Sequence, residues 1–575
     1  MKNKKVSEFI FPMEISDPKD NNNSSIIVYG NPLHCNTEKL IHEYKIKEIN
    51  KFLQWQLRYS FGNYVMIDLK NEPSKIIIII TSPGFCGGYK YQSKNGIILA
   101  TVLSDLLEKS KETIEINEAV LERSLNVDPT HNLPTQTVFM GVERLLPAMI
   151  LEISGNEVIS EKSYLTMDVE APLSFTEALE ETIQCLLKNY DPEQITLMYS
   201  GGIDSSTLFA GLDKFSNGKF KLLSFDYRNF TNHPLRAKRI ADEMGYKVEE
   251  ADFIKISESD EYCEKLEQLL EKDIINPYNP SWAVPSRSGN KEEIVISGQN
   301  FDSLAILDMR RQQLSRTLYL LKTGNIISAG LDILWNIQFS DFFLNENFRK
   351  IYLSLIPAKY GEEKGRADFL SFLQGFISTG KPGRIKTSDR DLTEKAIDSF
   401  YKIVSTNNQS LLTDILYYYY YQFNCSHLIT KFTLNTNVEL ILPALNGPIR
   451  SYFFNQKRNL FTILSPKEEL IRSFNDITGR NFYKLINGRE LKNRRTSSLK
   501  KRNSRLLERN IFLLDSGDSK LLDKIKNKAL RERFRESNRK ILGKIKINEG
   551  LTKREIEQGV LFVNFEKILR NVEGE

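Results

Sequence analysis

Ile195-Thr-Leu-Met-Tyr-Ser-Gly-Gly-Ile-Asp-Ser-Ser206 decides the fold. Ile195 to Tyr199 is a short apolar run that suits a buried strand, and a Gly-Gly turn hands it to a helix starting near Asp204. Upstream, the chain changes character at Ala171-Pro172. Ser174 with Glu177 three residues on forms a capping-box pattern, and Leu179, Ile183, Leu186 and Leu187 recur at helical spacing. Downstream come a second strand, Lys221-Leu-Leu-Ser-Phe225, and a helix that closes at Met244-Gly245. A third strand spans Val248 to Phe253, and a fourth is Ile294-Val-Ile-Ser297. Strands alternating with helices predict a parallel sheet with crossover helices.

Before this unit, residues 26–170 read as β-rich. Tyr64-Val-Met-Ile-Asp-Leu69 partly alternates, and Lys75-Ile-Ile-Ile-Ile-Ile80 suits a strand buried on both faces. Asn95-Gly96 signals one hairpin and Gly155, between Ile153 and Val158, another. Residues 1–25 are a polar, Asn-rich, loose lead-in. From Leu304 onward the pattern is mainly helical, and Tyr417–Tyr421 reads as a helix with one packed face. The expected fold is therefore α/β, divided into 26–170, 171–490 and a basic helical extension over 491–575.

A chain of 575 residues with 41% hydrophobic and 27% charged residues has the makeup of about two to four globular domains. No run of eighteen apolar residues occurs, so no spanning helix and no membrane partner are expected. Glu8 and Glu14 interrupt the segment after the basic start, which excludes a signal peptide. The 5 cysteines are scattered without a CxxC, which predicts a reduced, cytoplasmic protein without structural zinc. The net charge of +5 does not by itself imply nucleic acid. Lys and Arg crowd Arg480 to Lys546, including Lys492-Asn-Arg-Arg495 and Lys500-Lys-Arg502. Acidic residues interleave from Glu508, which suits a solvated helical face; the other reading is a patch for an acidic partner or anionic ligand. Aromatic residues are sparse there, which argues against RNA.

The chemistry centres on Ser200-Gly-Gly-Ile-Asp-Ser-Ser206. Two glycines let backbone approach phosphates, and the following helix offers N–H groups and a positive dipole end. Ser200, Ser205 and Ser206 add hydroxyls. The carboxylate of Asp204 beside polyphosphate calls for a bridging cation, Mg²⁺. No lysine follows the glycines, so this is not the GxxxxGK[ST] loop.

The loop resembles the SGGxDS loop of the N-type ATP pyrophosphatases. Preceded by a β-rich domain, it is similar in arrangement to asparagine synthetases, β-lactam synthetases and lasso-peptide cyclases. Thiolating relatives are set aside because Cys185 and Cys263 lack a CxxC partner. Phe61-Gly-Asn-Tyr-Val-Met-Ile-Asp68 and Thr137-Val-Phe-Met-Gly-Val-Glu-Arg-Leu-Leu-Pro147 resemble elements of the family's glutaminase-type domain. Ile296-Ser-Gly-Gln-Asn-Phe-Asp-Ser303 is similar to the SGxxxD segment, Asn437-Val-Glu-Leu-Ile-Leu-Pro-Ala-Leu445 to VExxxPxL, and Lys467-Glu-Glu-Leu-Ile-Arg-Ser-Phe474 to the KxxLRxxF helix. The resemblance spans about residues 26–490 and is strongest at the loop. It implies an Ntn-hydrolase-like first domain, a HUP-like ATP-pyrophosphatase domain, and ATP with Mg²⁺ as cofactors. A small-molecule or peptide carboxylate would be adenylated, pyrophosphate released and the acyl group passed to an amine. A homodimer stays open.

The resemblance assigns nucleotide binding to Ser200, Gly201, Gly202, Asp204, Ser205, Ser206 and Gly298, with Asp204 and Asp302 on the metal. The alternative reading of Asp302 is a helix N-cap. The family's phosphate-binding lysine falls in an RxK segment, whose nearest match is Lys484 and second match Lys492; each reads equally as plain surface charge. Three departures count. Lys2 stands where the family has its N-terminal cysteine nucleophile, and Cys35 is internal, so no glutamine hydrolysis is expected. Gln299 replaces an ionisable Glu or Tyr, and Leu428-Ile-Thr-Lys-Phe-Thr-Leu434 replaces the KxDrxsM stretch. These leave the carboxylate and amine unassigned, with cyclisation, intermolecular amidation and ammonia use all open. They also leave open an ATP-binding scaffold that forms no amide.

Overall fold

The computed structural model describes residues 8–10, most of 26–273, 294–298, 301, 402–403, most of 439–486 and most of 506–574. Its strands are β1 (Glu8–Ile10), β2 (Ile26–Gly30), β3 (Tyr64–Leu69), β4 (Lys75–Ile80), β5 (Tyr89–Ser93), β6 (Gly96–Ala100) and β7 (Val142–Arg144). They continue with β8 (Met149–Ser154), β9 (Glu157–Ser163), β10 (Ile195–Met198), β11 (Lys221–Asp226), β12 (Val248–Asp252), β13 (Ile294–Ser297) and β14 (Glu439–Ile441).

The first unit holds two sheets. One, ordered β2-β3-β4-β8-β9, is antiparallel throughout. The other is ordered β1-β6-β5-β7, with β1 parallel to β6 and the rest antiparallel. Side-chain alternation along β6 explains the stacking. Ile97 and Leu99 join the core of the first sheet, whereas Ile98 and Ala100 face a second core on the other side. Helices 37–46 and 49–59 contribute Leu40, Phe52, Leu53 and Leu57 to the first core. Sandwiched between layers, Ile76 to Ile80 are all buried, as a strand covered on both faces requires. Both hairpins form as the turn residues predict, with Ser93 opposite Gly96 and Ser154 opposite Glu157.

The second unit is built on the sheet β12-β11-β10-β13-β14, parallel at every pairing. Helix 175–189 begins at Ser174, whose hydroxyl accepts from the Glu177 amide at 3.1 Å, while the Glu177 carboxylate accepts from the Leu173 amide. The reciprocal bond therefore lands one residue earlier than a capping box places it. Helix 203–216 is buried on nearly every side: its Gly211 faces Leu179 and Ile183, and Thr207 donates to the Leu470 carbonyl of helix 468–478.

The chain's end returns to the first unit. Helices 528–546 and 553–573 pack with helix 260–272 on the second core, where the Phe565 ring stands edge-on to Phe139. Basic residues of this extension pair with acids of the same chain: Arg509 with Asp260 and Glu267, Lys526 with Glu115, Arg533 with Glu122, and Lys567 with Glu271. The acidic partner suggested by the basic run is, for these residues, the protein itself.

The structure amends three expectations. The lead-in contains β1, so it is not loose throughout. The β-rich domain also carries helices 37–46, 49–59, 103–110 and 118–126. A fifth parallel strand, β14, lies inside the VExxxPxL segment. Tyr417–Tyr421, Gln299, Asp302 and Lys492 lie outside the described residues. No helix among the described residues is long and apolar enough to cross a membrane.

Candidate active site

Strand order fixes where a ligand can sit. From β10 the sheet grows one way through β11 and β12, then crosses back so that β13 pairs with the other side of β10. Open parallel sheets bind ligands outside the carboxyl ends of the strands at such a reversal. Residues 199–202 leave β10 at this point, and Gly298 follows β13 directly beside them.

The loop is held from within. The Ser205 hydroxyl donates to the Gly202 carbonyl at 3.1 Å, accepts from the Ser200 amide at 3.3 Å and lies 3.2 Å from the Ser200 hydroxyl. Ser200 Oγ also accepts from the Gly202 amide. Ser206 is fully buried, with its hydroxyl 3.2 Å from that of Tyr199. Ser205 and Ser206 therefore shape the turn more than they offer donors to a ligand. The donors suited to a ligand are the backbone amides of the first turn of helix 203–216, whose N-cap, Gly202, supplies no capping side chain.

The glycines are required by contact. Gly201 has φ +65°, and a Cβ there would stand 2.8 Å from the Ala237 nitrogen. A Cβ on Gly298 would come within 2.8 Å of the Asp204 carbonyl carbon and the Ser205 nitrogen. The sequence reading gives Gly298 to nucleotide approach; its immediate close neighbour is the protein's own helix.

Two cations border the loop that sequence reasoning did not assign to it. Lys467 Nζ stands 3.1 Å from Asp204 Oδ2, an ion pair exposed to about a quarter. Arg236 donates from Nε and Nη2 to the Ser200 carbonyl at 3.2 and 3.0 Å. Burial lowers the pKa of its guanidinium, while Tyr199 and Asp204 act to raise it. Lys467 heads the KxxLRxxF match, which was its only signal; Arg236 carries no motif. Lys484 is exposed on the short helix 482–486, and no contact among the described residues joins its side chain to the loop.

Fit to Mg²⁺ rests on Asp204. No group of three or more His, Cys, Asp or Glu side chains suits a metal among the described residues. Mg²⁺ held through one or two carboxylates plus phosphate oxygens and water needs no such cage, so Asp204 fits a phosphate-bridging ion. In the first unit, burial pushes the Cys35 thiol up to about 12, leaving it protonated at neutral pH. No family model matches the chain, and no curated protein is a significant match to it.

Proposed function

We propose that this protein is an ATP-dependent amide-forming synthetase that activates a carboxylate as its adenylate. On this reading the parallel-sheet unit is a HUP-like ATP pyrophosphatase, and the helix–sheet–sheet–helix unit is a degenerate class II glutaminase-type domain. The observation that carries it is the SGGIDSS turn at the carboxyl end of the central strand, beside the sheet's reversal and below an uncapped helix end.

The substrate carboxylate attacks the α-phosphorus of ATP, and pyrophosphate leaves. Amides of residues 203–205 bind phosphate oxygens, and Asp204, with Asp302, would hold Mg²⁺ against them to neutralise charge. Lys467, already beside Asp204, is better positioned than Lys484 to meet charge on the leaving pyrophosphate. An amine then attacks the acyl carbon, the acyl–phosphate bond breaks, and AMP departs with the amine's proton passing to its phosphate or to water. Gln299, a primary amide, cannot take the amine's proton at neutral pH and can only orient it.

The test is ATP–pyrophosphate exchange with panels of small carboxylates and peptides, followed by product analysis. Carboxylate-dependent exchange with AMP as the nucleotide product is expected; stoichiometric ADP would overturn the assignment. Glutamine should not be hydrolysed, because the Cys35 thiol is buried and protonated. Gln299 and the altered KxDrxsM stretch favour a second reading, a nucleotide-binding scaffold; ATP binding without exchange on any carboxylate would select it.

A further inference from the structure

We propose that Arg236 is a phosphate-positioning residue of this site, holding the Ser200 carbonyl away from the nucleotide and giving its remaining N–H donors to the polyphosphate. The inference rests on the ATP reading above and adds a residue that the loop motif does not contain.

A carbonyl oxygen at the turn of a phosphate loop repels the anion it is meant to admit. Here the Ser200 carbonyl is engaged by two guanidinium nitrogens, which fix its direction and offset its partial charge. A guanidinium carries five N–H donors in a rigid fork. Two are used on Ser200, and the other three have no acceptor among the described residues. The group also lies over the turn itself, with Arg236 Nη2 3.6 Å from where a Gly202 Cβ would be.

The backbone around Arg236 is equally committed. Its carbonyl carbon and the Ala237 nitrogen lie 3.0 and 2.8 Å from the Cβ position of Gly201, so helix 233–243 seats directly on the loop. Arg236 therefore cannot drift from the turn without unpacking it. With Lys467 across Asp204, the loop is flanked by two cations, one on helix 233–243 and one at the N-cap of helix 468–478. A triphosphate, carrying several negative charges, is the ligand class that such a pair suits.

Binding of Mg·ATP and of pyrophosphate to the full-length protein, at low and high salt, tests this. Arg236→Gln should weaken both by about 10- to 100-fold and flatten the salt dependence. Arg236→Lys keeps the charge but not the two-pronged hold on Ser200, so it should lose a few-fold in affinity, less than Gln, and keep the wild-type salt dependence. A clamp that only shapes the loop predicts that Lys fails as Gln does with the salt dependence unchanged, and that result overturns the proposal. So does wild-type affinity in Arg236→Gln. Should the Gln variant not fold, the Lys variant decides: affinity more than about 10-fold below wild type, the charge being retained, overturns the assignment. Wild-type protein that binds no Mg·ATP overturns the synthetase reading and this assignment together, whereas normal wild-type binding with an indifferent Arg236→Gln overturns this assignment alone.

Discussion

A methyl group added at Gly298 would stand 2.8 Å from both the carbonyl carbon of Asp204 and the amide nitrogen of Ser205. Backbone cannot yield there without moving helix 203–216 off β13. Gly298→Ala should therefore cost about 1–3 kcal/mol, the range for overpacking, and weaken nucleotide binding with it. Denaturant midpoints and ATP titration check this; unchanged stability and affinity would mean that the helix tolerates displacement. Asp204 should behave differently. Its pair with Lys467 is partly exposed, so breaking it costs at most about 1 kcal/mol of stability. If Asp204 holds Mg²⁺ at the phosphates, Asp204→Asn should lower Mg²⁺-dependent turnover by about 100-fold or more while the melting temperature hardly moves. Lys467→Met should do likewise if its ammonium meets the pyrophosphate. Normal turnover of either variant at limiting Mg²⁺ would remove that residue from the chemistry.

Helix 553–573 offers a test at the level of an element. Thr552 and Glu555 form a complete capping box, and Lys540 and Lys544 both reach the Glu555 carboxylate. Burial acts to raise the Glu555 pKa, but the Thr552 amide and hydroxyl and the two lysines overbalance it and bring it to about 2. A carboxyl depressed on folding contributes stability above its ordinary value, and that contribution is lost as pH falls through the folded one. Stability should therefore fall between about pH 5 and about pH 2, and Glu555→Gln should be less stable at neutral pH with a flatter acid limb. Hydrogen exchange over residues 553–573 reads it, and an unaltered acid limb in the variant would discount the cap. Elements differ in how openly the sequence declares them. β4 and both hairpins were legible because an unbroken isoleucine run, or a turn at Asn95-Gly96 or Gly155 between strand-like runs, admits few alternatives. Helix 49–59 buries Phe52, Leu53, Gln56 and Leu57 at helical spacing, yet the strand pattern around it in residues 26–170 masks that signal. β14 has three residues, too few for any period to emerge. The SGGIDSS turn was legible as local chemistry. Lys467 and Arg236 reach it from the N-cap of helix 468–478 and from helix 233–243, and only packing brings them there.

Across the whole molecule the first unit is joined to the second through backbone as well as side chains. Helix 49–59 ends with carbonyls that no intrahelical donor can satisfy. Leu57 O accepts from the Arg450 guanidinium and from Ser451 Oγ, and Ser60 O accepts from the Gly447 amide, all on helix 447–455 of the second unit. Arg58 adds a two-pronged pair to Glu181 at 2.6 and 2.8 Å. Val295, Leu440, Leu442 and Leu445, from the parallel sheet and its exit, are buried in the first unit's core. Arg450 is almost completely buried, so a charge would be stranded if its acceptor were taken away. A domain kept only as an appendage would not be tied in this way. Residues 171–575 expressed alone should therefore be insoluble or unfolded, and so should 1–170, whose second core is completed by Phe562, Phe565 and Leu569 of the last helix. Co-expressing the two pieces should restore a soluble complex, checked by size-exclusion chromatography and circular dichroism. A 171–575 fragment that folds and binds ATP by itself would show that the first unit is dispensable and that these contacts are incidental to the site.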